Sequence, residues 1–215
     1  MKKLILVAAL IVGLSSAGNI YAQGFGPGYG GGMMGRGMMG GGMMGGYGWQ
    51  GAHQVNYPFV KNLLSQTAAS AYVNKEDKTV TFTGNRVDIA MAAVQPDFPD
   101  TTFEVAGLVN PTIVVSAGSL VTLHFVNMDY GRGMTHGVVI TPIPPPYPVL
   151  SMMGMPDTIA GIPVLPPRQL KDTADSLYIE GSTSFEAPPP GAYYYLCQYF
   201  DHARKGMYGR FIVTR

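Results

Sequence analysis

The chain has 215 residues, of which 47% are hydrophobic and only 13% charged, with 14 Lys and Arg set against 13 Asp and Glu. That balance, with no basic stretch in the body of the chain, excludes a nucleic-acid partner, which requires a cationic face. A single cysteine excludes an internal disulfide framework.

Lys2 and Lys3 precede an uncharged apolar run from Leu4 to Leu14, and Ile20-Tyr21-Ala22 offers a cleavage site before Gln23. A basic start, a short apolar stretch and a small residue at the cut describe a secretory signal peptide over residues 1–22. The run is too short to span a bilayer, and a lipoprotein anchor would need a cysteine at the cut. A translocated, periplasmic protein without stable membrane insertion is expected. Removing residues 1–22 takes away two Lys and leaves the remaining charges nearly balanced.

Residues 23–52 are of low complexity, with Met33-Met34-Gly35, Met38-Met39-Gly40 and Met43-Met44-Gly45 repeating at a spacing of five. Almost devoid of β-branched residues, this stretch does not repay the entropy of folding and is expected to be disordered. Two readings stand: a flexible tether, or paired thioethers that capture Cu(I) as soft ligands.

The domain is expected over residues 53–215, where about 160 residues suit one core. Pro58 starts a helix running to about Ser70, with Phe59, Val60, Leu63 and Leu64 as its apolar stripe. Strands follow at Thr79–Thr83, Arg86–Val94, Thr102–Ala106, Thr112–Val115, Leu120–Asn127, Gly137–Thr141, Ser176–Glu180, Ala192–Gln198 and Met207–Thr214. They are rich in Val, Ile, Thr, Tyr and Phe and separated by Gly, Pro, Asn and Asp. Short strands without βαβ alternation argue for an all-β, antiparallel sandwich. Pro142–Thr173, with Pro144-Pro145-Pro146 and Pro166-Pro167, reads as one long ordered loop on the rim.

Cys197 demands an explanation, because an unpaired thiol in an oxidising compartment is inert, bridged to another chain, or ligated. A strand delivers Cys197; His202 and Met207 follow on one tight loop, and the next strand starts at once. Thiolate, imidazole and thioether together select copper, and a blue-copper site adds a second imidazole. Of the four histidines, His53 borders the low-complexity segment, and His124 lies in a strand between Leu123 and Phe125. If those neighbours face inward, His124 faces solvent. His136 follows the turn Gly131-Arg132-Gly133 at a sandwich end and is the best fourth ligand.

The segment Tyr193–Gly209 resembles the C-terminal copper loop of the rusticyanin family, high-potential blue-copper proteins of acidophilic iron oxidisers. The similarity extends through Phe82–Pro111, with Val87-Asp88-Ile89-Ala90-Met91-Ala92-Ala93-Val94 and Asn110-Pro111, to the turn before His136 and to Pro145-Pro146-Tyr147. It spans about residues 57–215 and implies a cupredoxin Greek-key β-sandwich with an N-terminal helical extension. Matched residue by residue, it implies the ligands His136, Cys197, His202 and Met207 around one type 1 copper ion. It also implies an electron carrier rather than an enzyme, with redox partners such as c-type cytochromes or a terminal oxidase, acting as a monomer.

The chain departs from the family at two ligands. Gly137 stands where rusticyanins carry Ser after the first histidine, and Phe200-Asp201 where they carry Pro-Gly before the second. By position, the amides of Gly137 and Tyr199 are expected to point at the Cys197 sulfur. Met134, Phe200, Met152, Met153 and Met155 are expected to give the site an apolar surround. Arg204 and Lys205 beside His202 are positioned to steer an acidic partner. The alternative function is copper trafficking or storage by the Met-rich segment. A multicopper oxidase would need His-x-His pairs and a binuclear site two cysteines, and the chain has neither.

Overall fold

Short β-branched and aromatic runs, broken by Gly, Pro and Asn, fold into two packed sheets with one helix laid against them. The computed structural model describes residues 49–151 and 157–215; the leader, the Met-Met-Gly repeats, Met152, Met153 and Met155 lie outside the described residues. In chain order the elements are β1 (Trp49–Asn56), α1 (Tyr57–Ser70), β2 (Ala71–Asn74), β3 (Thr79–Phe82), β4 (Arg86–Ala93), β5 (Phe103–Val105) and β6 (Leu108–Val109). β7 (Thr112–Ser116), β8 (Leu120–Asn127), β9 (His136–Thr141), β10 (Ala160–Leu165), β11 (Leu177–Glu186), β12 (Gly191–Leu196) and β13 (Tyr208–Thr214) follow.

One sheet runs β1-β11-β8-β4-β5-β6 and the other β10-β9-β12-β13-β7-β3-β2. Strands β7 and β8 show why the sheets face each other: Ile113 and Val115, then Val121, Leu123 and Phe125, are buried in alternation with more exposed neighbours. Phe103 packs edge-on between Phe125 of its own sheet and Tyr195 of the other, at 6.0 and 5.5 Å between ring centres. The sandwich is mixed rather than purely antiparallel, since β3–β7, β4–β8 and β7–β13 are parallel pairs. The physical reason is a repeated crossing. The chain passes between sheets from β3 to β4 and again from β7 to β8, so like-directed strands become neighbours in both sheets.

Five segments differ from expectation: β2 and β6 are strands where none was expected, and β1, β10 and β11 differ in place or extent. β1 begins at Trp49, inside the stretch expected to be disordered, because it pairs with β11 from Trp49↔Thr183 to Asn56↔Leu177. β10 lies within the expected loop Pro142–Thr173; it is an edge strand, and its register shifts between Ile162 and Leu165, which is where Pro163 is tolerated. β11 continues to Glu186, six residues past its expected end.

Helix α1 starts where Asn56 caps it, its Oδ1 accepting the Phe59 amide at 3.0 Å, with Pro58 in the first turn. The buried face is Val60, Leu63, Leu64 and Thr67 rather than one including Phe59, which stands exposed against His53. Val60, Leu63 and Leu64 pack on Val55, Ala92, Val126, Met128 and Tyr178, forming a second small core on the outer side of the first sheet. β4 pairs with β5 only at Ala92 and Ala93, leaving its earlier residues without a strand on that side. There the Thr67 hydroxyl accepts the buried Ala90 amide at 2.8 Å. Thr67→Val, which keeps the shape but orphans that amide, is expected to lower stability by about 1–3 kcal/mol in urea unfolding, while Thr67→Ser stays near wild type.

Candidate metal centre

The hairpin β12–β13 is in register from Gly191↔Val213 to Leu196↔Tyr208. One further ladder bond follows, the Cys197 amide donating to the Met207 carbonyl at 3.0 Å. Residues 198–206 must therefore leave and return within the width of one strand pair. They do so in tight turns: His202 N–H to Tyr199 O (3.3 Å), Lys205 N–H to Asp201 O (3.1 Å), and Met207 N–H to His202 O (3.0 Å). Gly206, at φ +104, takes a conformation that other residues rarely adopt. Surroundings pin the excursion: Asp201 N–H donates to Val149 O (2.9 Å), and the Asn110 side-chain Nδ2 donates to Gly206 O (3.1 Å). Ala203 is buried with Tyr147, Leu196 and Val139.

β9 lies beside β12 with Leu196 opposite Val139, so the first residue of β9, His136, reaches the same end of the sandwich. Cys197 Sγ stands 3.6 Å from His202 Nδ1 and 4.0 Å from His136 Nδ1, and the imidazole rings are 4.8 Å apart. Among the described residues this is the one group of three such side chains whose donor atoms lie close enough to hold a metal ion. Cys197 and His136 are buried, and His202 is partly exposed with Tyr199 against its ring at 5.0 Å. Met207 is wholly buried in the same core as Cys197 and faces it across the ladder.

Burial pushes the Cys197 thiol up to about 11, opposed by hydrogen bonds from the Gly137 and Tyr199 amides, the two donors expected from their positions. His202 is lowered to about 4, first by burial and then by the neighbouring His136 and Lys205. Gly137 has a packing reason as well. A Cβ there would lie 2.6 Å from Gln198 Nε2, and that carboxamide is fixed by donating to Ile162 O at 2.8 Å. Asp201 sits at φ +68 and binds both Arg204 Nε and Lys205 Nζ, the latter at 3.0 Å. Those hydrogen bonds hold its carboxyl down at about 2. The two cations expected to steer a partner are thus partly neutralised. Phe200 and Met134 are 57% and 42% exposed and belong to the surface rather than to an apolar lining.

Two histidines lie elsewhere, and one departs from expectation. Leu123 and Phe125 do face inward, yet His124 is not a bare surface residue: its side chain is 26% exposed. Its Nδ1 is 2.9 Å from Glu180 Oε1, and His53 Nδ1 is 3.1 Å from Glu180 Oε2. A carboxylate 1% exposed needs such partners, and β11 places Glu180 between the two histidine strands. Sequence reasoning also missed Asp129, whose Oδ2 lies 2.8 Å from His136 Nε2. Its spacing from the ligand turn matches no motif.

A protonatable thiol and two imidazole nitrogens converging in a buried corner fit copper, for which sulfur and imidazole are the favoured donors. The sandwich and this corner define a cupredoxin, an electron carrier with one type 1 copper ion. No family model matches the chain. It is 35% identical over 162 residues to rusticyanin of Acidithiobacillus ferridurans, covering 74% of this chain and 78% of the relative. It is equally similar over 162 residues to a rusticyanin of Acidithiobacillus ferrooxidans, of which 94% is covered. Among solved structures, a rusticyanin variant gives a TM-score of 0.67 at 32% identity, covering 76% of this chain and 98% of that one. Rusticyanin from Thiobacillus ferrooxidans gives 0.66 at 33%, covering 76% and 97%. The chain belongs to the rusticyanin family, and its relatives place it among exported, periplasmic proteins. No helix among the described residues is long and apolar enough to cross a membrane.

In the metal-free protein the folded chain binds a proton at His202 only below about 4, the unfolded chain already below its ordinary 6.5. The unfolded state holds more protons between these values, so stability rises with pH across pH 4–6.5 and this contribution is complete above it. Urea midpoints of the metal-free domain are expected to fall from neutral pH toward the lower limit, and to fall less in His202→Gln. Because Cys197 is protonated at neutral pH and His202 is not, copper uptake is expected to release about one proton per ion, measurable in unbuffered titration.

Proposed function

We propose that His136, Cys197, His202 and Met207 hold the copper ion, and that the protein passes single electrons between redox proteins in a periplasmic respiratory chain. The carrying observation is the buried Cys197 sulfur with imidazole nitrogens at 3.6 and 4.0 Å. Bound copper supplies a one-electron Cu(II)/Cu(I) couple. The chain's own residues do the rest. The Gly137 and Tyr199 amides stabilise the thiolate form of Cys197. The pinned loop holds donors suited to both oxidation states in one arrangement, which favours rapid electron exchange. With two imidazoles, a thiolate and a thioether assigned, no donor position is left open for a substrate.

His202 is the proposed edge of entry and exit, since it is the partly exposed member of the group and Phe200, two residues earlier, is exposed. Redox partners of the c-type cytochrome or terminal-oxidase kind suit such a surface, and iron oxidation is the respiratory context that the family suggests. The proposed working unit is a monomeric domain over residues 53–215, exported by the leader 1–22 and preceded by the Gly/Met-rich segment. β1 extends that unit back to Trp49. The three Met-Met-Gly repeats favour a second reading, copper trafficking or storage with the sandwich as carrier.

Adding Cu(II) to the purified mature protein is expected to give an intense visible thiolate-to-copper band at one ion per chain. Cys197→Ser abolishes the band, His136→Ala removes or strongly shifts it, and His124→Ala leaves it in place. Deleting residues 23–48 leaves spectrum and potential intact if the protein is a carrier. A band that survives Cys197→Ser would falsify the ligand set.

A further inference from the structure

Both imidazoles turn Nδ1 toward Cys197, so each must carry its ring proton on Nε2 when the Nδ1 lone pair ligates a metal. For His136, 1% exposed, that proton has a receiver in the Asp129 carboxylate at 2.8 Å, itself 13% exposed. Among the described residues no carboxylate stands against His202 in this way. Asp129 is also held rigidly. Its Oδ1 accepts the Tyr130 amide (2.7 Å), its own amide donates to Asn127 Oδ1 (3.1 Å), and its carbonyl accepts the Arg168 amide (3.0 Å). Arg168 adds a bond from Nε to Met128 O at 3.0 Å and lies over the Tyr130 ring at 5.3 Å. Asn127 ties the turn down through Met134 O and Leu165 O at 3.0 and 2.8 Å.

We propose that Asp129 is a positioning residue that fixes the His136 tautomer and, through its negative charge, biases the centre toward the oxidised ion, lowering the reduction potential. A carboxylate behind a ligating imidazole orients the ring and raises its basicity. Negative charge also stabilises the more highly charged of two metal states, most strongly where water is excluded. The proposal rests on His136 being a ligand.

The test compares copper-loaded wild type with Asp129→Asn and Asp129→Ala. Asparagine keeps the shape, removes the charge and leaves one acceptor oxygen, enough for the Nε2 proton at the expense of the Tyr130 amide bond. It should retain the visible band and shift the relative affinity toward Cu(I) by about tenfold, a rise of about 59 mV for one electron. Alanine should in addition weaken copper binding about 10- to 100-fold. In metal-free wild type, long-range proton–nitrogen NMR should find His136 protonated at Nε2. This measurement needs no variant and is indifferent to activity. A visible band with an unmoved potential in Asp129→Asn, or a His136 protonated at Nδ1, overturns the role of Asp129 and leaves the copper centre standing. Absence of the band in wild type removes both.

Discussion

The bond from the Cys197 amide to the Met207 carbonyl, 3.0 Å long, is the constraint from which the centre is built. It continues the β12–β13 ladder by one step past its last paired residues, so positions 197 and 207 stand opposite each other at the base of a closed excursion. Within that excursion the chain closes overlapping turns, and His202 takes part in two of them. The neighbouring strand β9 then needs no special device to contribute. Its pairing with β12 carries the start of β9 to the same sandwich end, where His136 lies. One hairpin and its neighbour thus bring three donor side chains together from positions 61 and 5 residues distant from Cys197.

The same corner is electrostatically uneven. Burial alone opposes ionisation of Cys197, and the Gly137 and Tyr199 amides offset only part of that cost. A metal-free thiol is therefore protonated at neutral pH, and metal affinity carries a proton with it. The two histidines sit in different fields, one against a carboxylate and nearly dry, the other partly wet and beside Lys205. Asp201 draws the nearby Arg204 and Lys205 onto itself, so the loop that presents His202 is less cationic than its composition implies.

The rest of the scaffold deals with two liabilities of a β-sandwich. β4 has an incompletely paired side, which Thr67 of the helix covers, and β1 is a sheet edge tied inward by the contact of His53 with Glu180. Glu180 is the reason both remaining histidines occupy their places. His124 hydrogen-bonds one oxygen of this buried side chain, and His53 stands near the other without a hydrogen bond to it. These histidines are accounted for by the stability of the first sheet, without any part in the metal centre.

Much of this was legible in the sequence. Alternation and β-branched composition revealed most strands, because period-two burial is written into each strand locally. The Cys197, His202 and Met207 spacing pointed to copper, because three residues of soft or borderline donor type lie within one short loop. Other features depend on which strands become neighbours, which no local pattern records. β10 was hidden by Pro163, acceptable only at an edge; β1 was hidden because its pairing partner lies more than a hundred residues away. The carboxylate behind His136 and the Glu180 contacts belong to the same class. The sequence by itself determined the fold class and the soft-metal chemistry of the Cys197 and His202 loop. The tertiary structure alone decided how dry the thiol is, which histidine has a charged partner and how far the loop cations are neutralised, because burial and long-range charge arise only when distant segments pack.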